Sequence, residues 1–109
     1  MISFAFNNVN VNGIPCIEVV SITESSTTAT YNFNPSPFPS SRFSGLIAVK
    51  IEKTPTTTSL PVNFSVPSVA GSSIALTTFG GTAVTGASLT TGIHLVFYDR
   101  PNNILQLIV

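Results

Sequence analysis

Ionised side chains are what this sequence has least of. Charged residues make up 7% of its 109 positions, against roughly 25% in ordinary soluble domains. Four acids balance four bases, so no electrostatic footprint points to nucleic acid or to an anionic membrane. A single cysteine, Cys16, excludes an internal disulfide. No helix start or adjacent base is there to make Cys16 a reactive thiolate, so it is expected to pack as a small hydrophobe. Tryptophan is absent, and His94 is the only histidine. No apolar run is long enough to span a bilayer, and nowhere do apolar residues recur at three and four for long enough to suggest a helix. The first eight residues have no basic n-region, apolar core or small-residue cleavage site, so they do not read as a signal peptide. The expectation is synthesis and use in a cytosol, or release without a secretion signal.

Hydrophobic residues are 43% of the chain, close to the norm. The missing charges have therefore been replaced by Thr, Ser and Asn rather than by more core. Two readings fit. Either the surface is covered by partner subunits through short hydroxyl and amide contacts, or it is a hydroxyl-rich exterior that water solvates, as on an extracellular β-domain. The lack of charge favours the first, because monomers usually stay dispersed by carrying charge. At this length the chain has room for one core and one domain, spanning 1–109.

Residues 92–109 organise the fold. The segment 93–99 (IHLVFYD) is β-branched, aromatic and nearly uncharged, as strands are. Arg100, Pro101, Asn102 and Asn103 supply turn chemistry, and 104–109 (ILQLIV) is a second apolar run. The expectation is a hairpin buried on both faces. Upstream, Ile2, Phe4 and Phe6 alternate with small or polar residues, and a bulge at the Asn7-Asn8 pair would correct the parity of Val9 and Val11. Asn12-Gly13 is a hairpin signal, followed by a strand over 16–24. Ala29, Tyr31 and Phe33 alternate with Thr and Asn. The three prolines of 34–41 make a stiff loop, whose Phe38 is either tucked onto the core or exposed as a contact. In the strand over 43–53, Ile47, Val49 and Ile51 share one face, while Lys50 and Glu52, about 7 Å apart on the other, suit an ion pair. Residues 54–59 form a polar loop, 60–66 an alternating strand that Pro61 starts or places at an edge, and 74–79 a short strand before a Gly80-Gly81 reversal. A brief strand over 82–85 and a connector follow. About eight short strands with frequent Pro, Gly and Asn read as an all-β fold, a single-domain antiparallel β-sandwich, Ig-like or jelly-roll-like.

Catalytic chemistry finds little to work with. His94 and Asp99 point to opposite faces of an extended strand, so a His–Asp dyad needs a bulge between them. Glu18 and Glu24 share a face but sit about 20 Å apart, outside the roughly 5–9.5 Å of a glycosidase pair; Glu52 or Asp99 could approach them only through the fold. One His and one Cys match no zinc pattern, and no acidic loop suits calcium. Gly80-Gly81-Thr82 lacks the Lys and helix of a phosphate loop. Lys50, Lys53, Arg42 and Arg100 are too scattered for a nucleic-acid groove. The Asn63-Phe64-Ser65 glycosylation triplet falls mid-strand. The sequence reads as non-enzymatic, with no cofactor.

The second half carries a resemblance. The Gly-containing apolar strand at 43–51 (FSGLIAVKI) is followed by Leu60-Pro61-Val62-Asn63-Phe64 and by Leu76-Thr77 with a Gly-Gly-Thr turn. The segment 84–92 (VTGASLTTG) then leads into the strand Leu95-Val96-Phe97-Tyr98-Asp99. This pattern resembles small β-domains of tailed-bacteriophage fibres and auxiliary capsid proteins, nearest in look to virion proteins of crAss-like gut phages. It covers roughly sixty per cent of the chain, and its motifs are mostly β-turn grammar. What it implies is a virion structural protein, assembled in the bacterial cytoplasm. The first form is a decoration protein bound in many copies to the major capsid protein; the alternative is a fibre, spike or glycan-binding domain. Its partners would be virion subunits and copies of itself, with no nucleic acid and no membrane. Loops 34–41 and 54–59 and the turn 99–103 are the candidate contacts, with Phe38, Arg42 and Arg100 as anchors, because aromatics and Arg dominate interface energetics.

Overall fold

A computed structural model describes residues 10–11, 14–35, 38–67, 69 and 71–109. The expectations for the alternating N-terminus, the Asn7-Asn8 bulge and the Asn12-Gly13 turn fall outside those residues. Among the described residues the fold is all-β, and its helical content is one 3₁₀ turn, Gly86–Ser88. The strands are β1 Asn10–Val11, β2 Ile14–Glu24, β3 Ala29–Phe33, β4 Ser44–Ile51, β5 Val62–Ser65, β6 Ser73–Ala75, β7 Thr77–Thr78, β8 Gly92–Asp99 and β9 Ile104–Leu107. Their order in the sheet is β6-β5-β3-β2-β4-β8-β9-β7, with β1 beside β2.

That path is nearly closed. The strands at its two ends, β6 and β7, are consecutive in the chain and separated by Leu76 alone. The expected single strand over 74–79 is thus split between opposite edges of the sheet. Three backbone bonds stitch the seam: Val62 N–H to Val84 O (2.8 Å), Leu76 N–H to Val62 O (2.9 Å) and Val84 N–H to Leu76 O (3.0 Å). Exposed edge hydrogen-bonding groups, a liability of open sheets, are thereby mostly used up. Residues 82–85 contribute isolated bridges at Ala83 and Thr85 rather than a strand.

The pairing also departs from the all-antiparallel expectation. β2 with β4, β3 with β5 and β7 with β9 run parallel. Alternation in sequence fixes which face a residue takes, not the direction of the neighbouring strand, so the loops 34–43 and 52–61 had to reveal these crossovers. β2 itself serves two sets of neighbours. Cys16, Ile17 and Glu18 pair with β4, while Val19 to Glu24 pair with β3 across a bulge at Val20. An inserted residue bends a strand and leaves its own polar groups unpaired; here Lys53 Nζ donates to Val20 O at 2.9 Å. The bulge divides the sheet into one part built of β2, β3, β5 and β6 and another of β2, β4, β8, β9 and β7.

One core fills the space between them. Ile17, Tyr31, Phe33, Ile47, Val49, Ile51, Phe64, Leu76, Val96, Tyr98 and Leu105 are all buried in it. The alternating runs at 29–33 and 47–51 face inward as read from sequence, and β8 and β9 form the expected hairpin. Asn103 takes a left-handed φ of 55° in its turn, which Asn tolerates better than most residues. Gly86 is buried where a Cβ would come within 2.7 Å of Pro55 Cγ, so the 3₁₀ turn seats directly on the 54–59 loop.

Candidate interaction surface

The two parts of the sheet share a core but have opposite exteriors. On β2, β3, β5 and β6 the outward positions are Ser21, Thr23, Thr30, Asn32, Asn63, Ser65, Ser73 and Ala75, all polar but the last. Asn32 Nδ2 donates to Ser21 Oγ and to Thr23 Oγ1, both at 3.1 Å. An open cavity of about 420 Å³ lies on this side, lined by Thr23, Thr30, Asn32, Ser65, Val66 and Ser72 among others.

On β4, β8 and β9 most outward positions are apolar, with Ser44, Lys50, Asp99 and Gln106 as the polar ones. The register places Leu46 beside Phe97 and Gln106, Ala48 beside Leu95 and Cys16, and Lys50 beside Ile93 and Glu18. Leu46, Ile93, Ile104 and Ile108 are 37–42% exposed, and Val109 68%. The expectation that the terminal hairpin is buried on both faces is therefore corrected: it is buried on one. Period two identifies strands whose alternate positions are all hydrophobic, but it cannot say whether the second face is covered by the same chain. Cys16 and Ala48 are the exception on this face, since both are buried. Burial pushes the Cys16 thiol up to about 11, against the opposing pull of Lys50, which keeps it protonated and unreactive.

Phe79 adds to this side, and at 77% it is the most exposed large hydrophobic side chain described. Thr77 and Thr78 pair in parallel with Gln106 and Leu107, so Phe79 follows at the level of Ile108. A hydrogen-bonded turn follows it, with Gly81 N–H bonded to Thr78 O at 2.9 Å and Thr82 N–H to Thr78 Oγ1 at 3.2 Å. Among the described residues, six of the seven exposed large hydrophobics, all but Val69, thus lie on or at the edge of one sheet. The sequence reading missed Phe79; an aromatic immediately before a Gly-Gly reversal was the available signal.

Phe38, Arg42 and Arg100 lie at another corner. Phe38 is half-buried and packs on Phe33 and Tyr98, with ring centroids 5.9 and 6.0 Å away. Of the two placements open to it, it takes the one against the core. The Arg100 guanidinium sits 5.5 Å over the Phe38 ring and donates to Pro39 O, while Arg100 N–H bonds Phe43 O at 2.9 Å. Arg100 therefore ties the proline-rich loop to the β8–β9 turn. Arg42 is exposed in the same loop.

Four of the eight charged residues, Glu18, Lys50, Glu52 and Lys53, gather near the bulge. Lys50 Nζ and Glu52 Oε1 form the expected ion pair at 2.9 Å. Glu18, which the parallel β2–β4 register brings alongside, is raised above the usual carboxyl range by partial burial and then by its hydrogen bond to Glu52. Lys50, and then Glu18, hold Glu52 below that range. Two carboxyls in direct hydrogen-bond contact leave no room for a sugar or water between them. His94 lies at the far side, with Nε2 2.7 Å from Thr90 O and Nδ1 3.2 Å from Val109 O. Asp99 instead accepts from Asn102 Nδ2 at 2.8 Å, so the two form no dyad. Among the described residues no three His, Cys, Asp or Glu side chains cluster as metal ligands, and no helix is long and apolar enough to cross a membrane. No protein-family model, curated protein or solved structure matches this chain.

Proposed function

We propose that this protein is a non-enzymatic structural subunit of a virion, in its most concrete form an auxiliary or decoration protein bound in many copies to the major capsid protein of a phage head. In that reading the nearly closed sheet, bent over itself at the Val20 bulge, is a sandwich-like body with one side for docking and one for solvent. The observation that supports it is the contrast of exteriors: a mostly apolar face on β4, β8 and β9, on the outside of the shared core. Exposed apolar side chains gathered on one face mark an interaction surface. The corner of Phe38, Arg42 and Arg100 is a second contact, with Arg42 reaching out from a loop that Arg100 holds rigid. Quantitative mass spectrometry of purified virions tests this. The chain is expected at a copy number comparable to the major capsid protein, and absence from particles would defeat the reading.

The hydroxyl-lined cavity favours a second reading, a receptor- or glycan-binding β-domain of a fibre or spike. Thr23, Thr30, Asn32 and Ser65 offer the short polar groups that orient a sugar. A glycan array decides here: binding abolished by Asn32→Ala supports it, and no binding across the array removes it.

A further inference from the structure

We propose that the hydroxyl-lined cavity on β2, β3, β5 and β6 binds a neutral saccharide, one or two rings of it at a time. This rests on the glycan-binding reading above, and it adds the charge of the ligand, its size and the way it lies in the site.

The sheet supplies a grid of short polar groups. Its register sets Ser21 beside Asn32 and Thr23 beside Thr30. One residue beyond the Tyr31–Phe64 pair the row continues from Asn32 to Ser65, and Ser65 pairs in turn with Ser73. Neighbours in such a row stand about 4.8 Å apart across the strands, a separation that alternate hydroxyls on a six-membered sugar ring match.

Asn32 gives the grid its polarity. Its amide nitrogen donates to both Ser21 Oγ and Thr23 Oγ1, so both of its N–H groups are spent and Oδ1 is left to accept. Thr23, already accepting, keeps its own O–H to donate. An acceptor next to a donor suits an alcohol, which does both.

Val69 supplies the apolar half. Among the described residues it is the one exposed large hydrophobic that does not lie with the apolar sheet; it lines this cavity instead, together with Val66. The turn that carries it is closed by Val66 N–H to Ser72 O at 3.0 Å, Val69 N–H to Val66 O at 3.0 Å and Ser72 N–H to Val69 O at 3.1 Å. A sugar ring has a C–H face and a hydroxyl edge. Val66 and Val69 take the first, and the strand residues take the second.

Charge and volume narrow the ligand. No charged side chain lines the cavity among the described residues, so a carboxylate or ammonium entering it gives up hydration and gains no opposite charge. Acidic and amino sugars are thereby disfavoured. The volume of about 420 Å³ is near the lower end of the roughly 300–1,000 Å³ of small-molecule sites. It holds one or two rings, whether free or at the end of a longer glycan.

Titration of the full chain, followed by backbone amide shifts, tests the proposal. The neutral probes are the methyl glycosides of glucose, galactose, mannose and N-acetylglucosamine, with lactose and maltose; the charged ones are glucuronic acid, N-acetylneuraminic acid and glucosamine. At least one neutral probe is expected to bind with a Kd on the order of millimolar, shifting Thr23, Thr30, Asn32 and Val69. Its affinity should be the same in low and high salt, and the charged probes should bind at least tenfold more weakly. Asn32→Ala should weaken binding about tenfold and Thr23→Val about fivefold, each by a lost hydrogen bond. Val69→Ser should weaken it about fivefold by lost apolar contact, while thermal melts confirm an intact fold in all three. Binding of no probe removes both this inference and the glycan reading. Charged probes that bind as well as neutral ones, with Asn32→Ala abolishing both, keep the glycan reading and overturn this inference. Neutral binding that is indifferent to Thr23→Val and Val69→Ser overturns it too.

Discussion

The hydroxyl-covered sheet of β3, β5 and β6 and the apolar-covered sheet of β4, β8 and β9 close over the same core, yet they prepare the molecule for different surroundings. Asn32 donates to Ser21 and Thr23, and Thr30, Asn63, Ser65 and Ser73 present short polar groups that water can solvate. Leu46, Ile93, Phe97, Ile104 and Ile108 present none. The difference shows that the shortage of charge in this sequence has two causes rather than one. On one side short polar groups take the outward positions that Lys and Glu normally fill; on the other, apolar side chains take most of them.

If both sheets depend on one core, damage beneath either should be felt by the whole. Phe64→Ala, beneath the polar sheet, removes a ring that stacks edge-on to Phe33 at 4.8 Å and should cost about 3–5 kcal/mol. Ile47→Ala, beneath the apolar sheet, should cost about 2–5 kcal/mol. Urea denaturation followed by both fluorescence and circular dichroism should show a single shifted transition in each case. Two separate transitions would mean that the sheets are independent units.

Exchanging the exteriors is gentler on stability and harder on behaviour. Leu46→Ser with Ile104→Thr should change the unfolding free energy by less than about 1 kcal/mol, as part-exposed surface substitutions do, while raising solubility and lowering the binding of a hydrophobic dye. Thr30→Ile with Ser65→Val on the opposite sheet should do the reverse by extending an apolar face around the molecule. Unchanged solubility in both would break the comparison between the two sides.

Much of the interior was legible in the sequence, because period two is a property of the chain itself. The runs 29–33 and 47–51, the hairpin of β8 and β9, the Gly80-Gly81 reversal and the Lys50–Glu52 pair could all be read from residue order. What residue order could not carry was anything set by a distant segment: the parallel register that brings Glu18 to Glu52, or the break at Leu76 that sends one half of a strand to each edge. The candidate contacts fared unevenly for the same reason. Phe38 and Arg100 were chosen on residue type, and the fold does bring them together, but against each other and the core. The apolar face was hidden in a segment that looked doubly buried, since a strand covered by its own chain and one awaiting a partner have the same composition.

The two ends of β2 sharpen the contrast through pH. Glu24, at the end nearer the hydroxyl-rich sheet, accepts backbone N–H bonds from Thr57 and Thr56 at 3.0 Å each, which hold its carboxyl below the usual range, Thr57 contributing most. Its stabilisation is present above the unfolded pKa of about 4.3 and is lost as pH falls through the lower folded value. Glu18, beside the apolar face, is raised by burial and by Glu52, so its stabilising contribution is complete below that unfolded pKa and lost as pH rises through the folded one. Glu24→Gln should therefore lower the melting temperature at pH 7 and leave it unchanged near pH 2. Glu18→Gln, which keeps a neutral donor for Glu52, should raise it at pH 7 relative to wild type and not in acid. Thermal melts across pH 2–8 check both, and parallel curves for the two variants would defeat the assignment.

The smallest effect separates the two buried tyrosines, one under each sheet. Tyr31, on β3, is fully buried, and its hydroxyl has no hydrogen-bond partner. An unmet hydroxyl in a core carries its full desolvation cost, whereas its removal leaves the ring packing in place. Tyr31 keeps that packing against Phe64, with centroids 6.1 Å apart. Tyr31→Phe should thus be neutral or stabilising by up to about 1 kcal/mol. Tyr98, on β8, is nearly as buried, but it lines an open cavity of about 220 Å³ together with Ser41, Ser72 and Asn103. Tyr98→Phe should be neutral or destabilising by a similar amount. Equilibrium unfolding of the two variants side by side resolves the difference in sign. A loss of stability in Tyr31→Phe would show that its hydroxyl is satisfied after all, and the core beneath the polar sheet would then be wetter than its packing indicates.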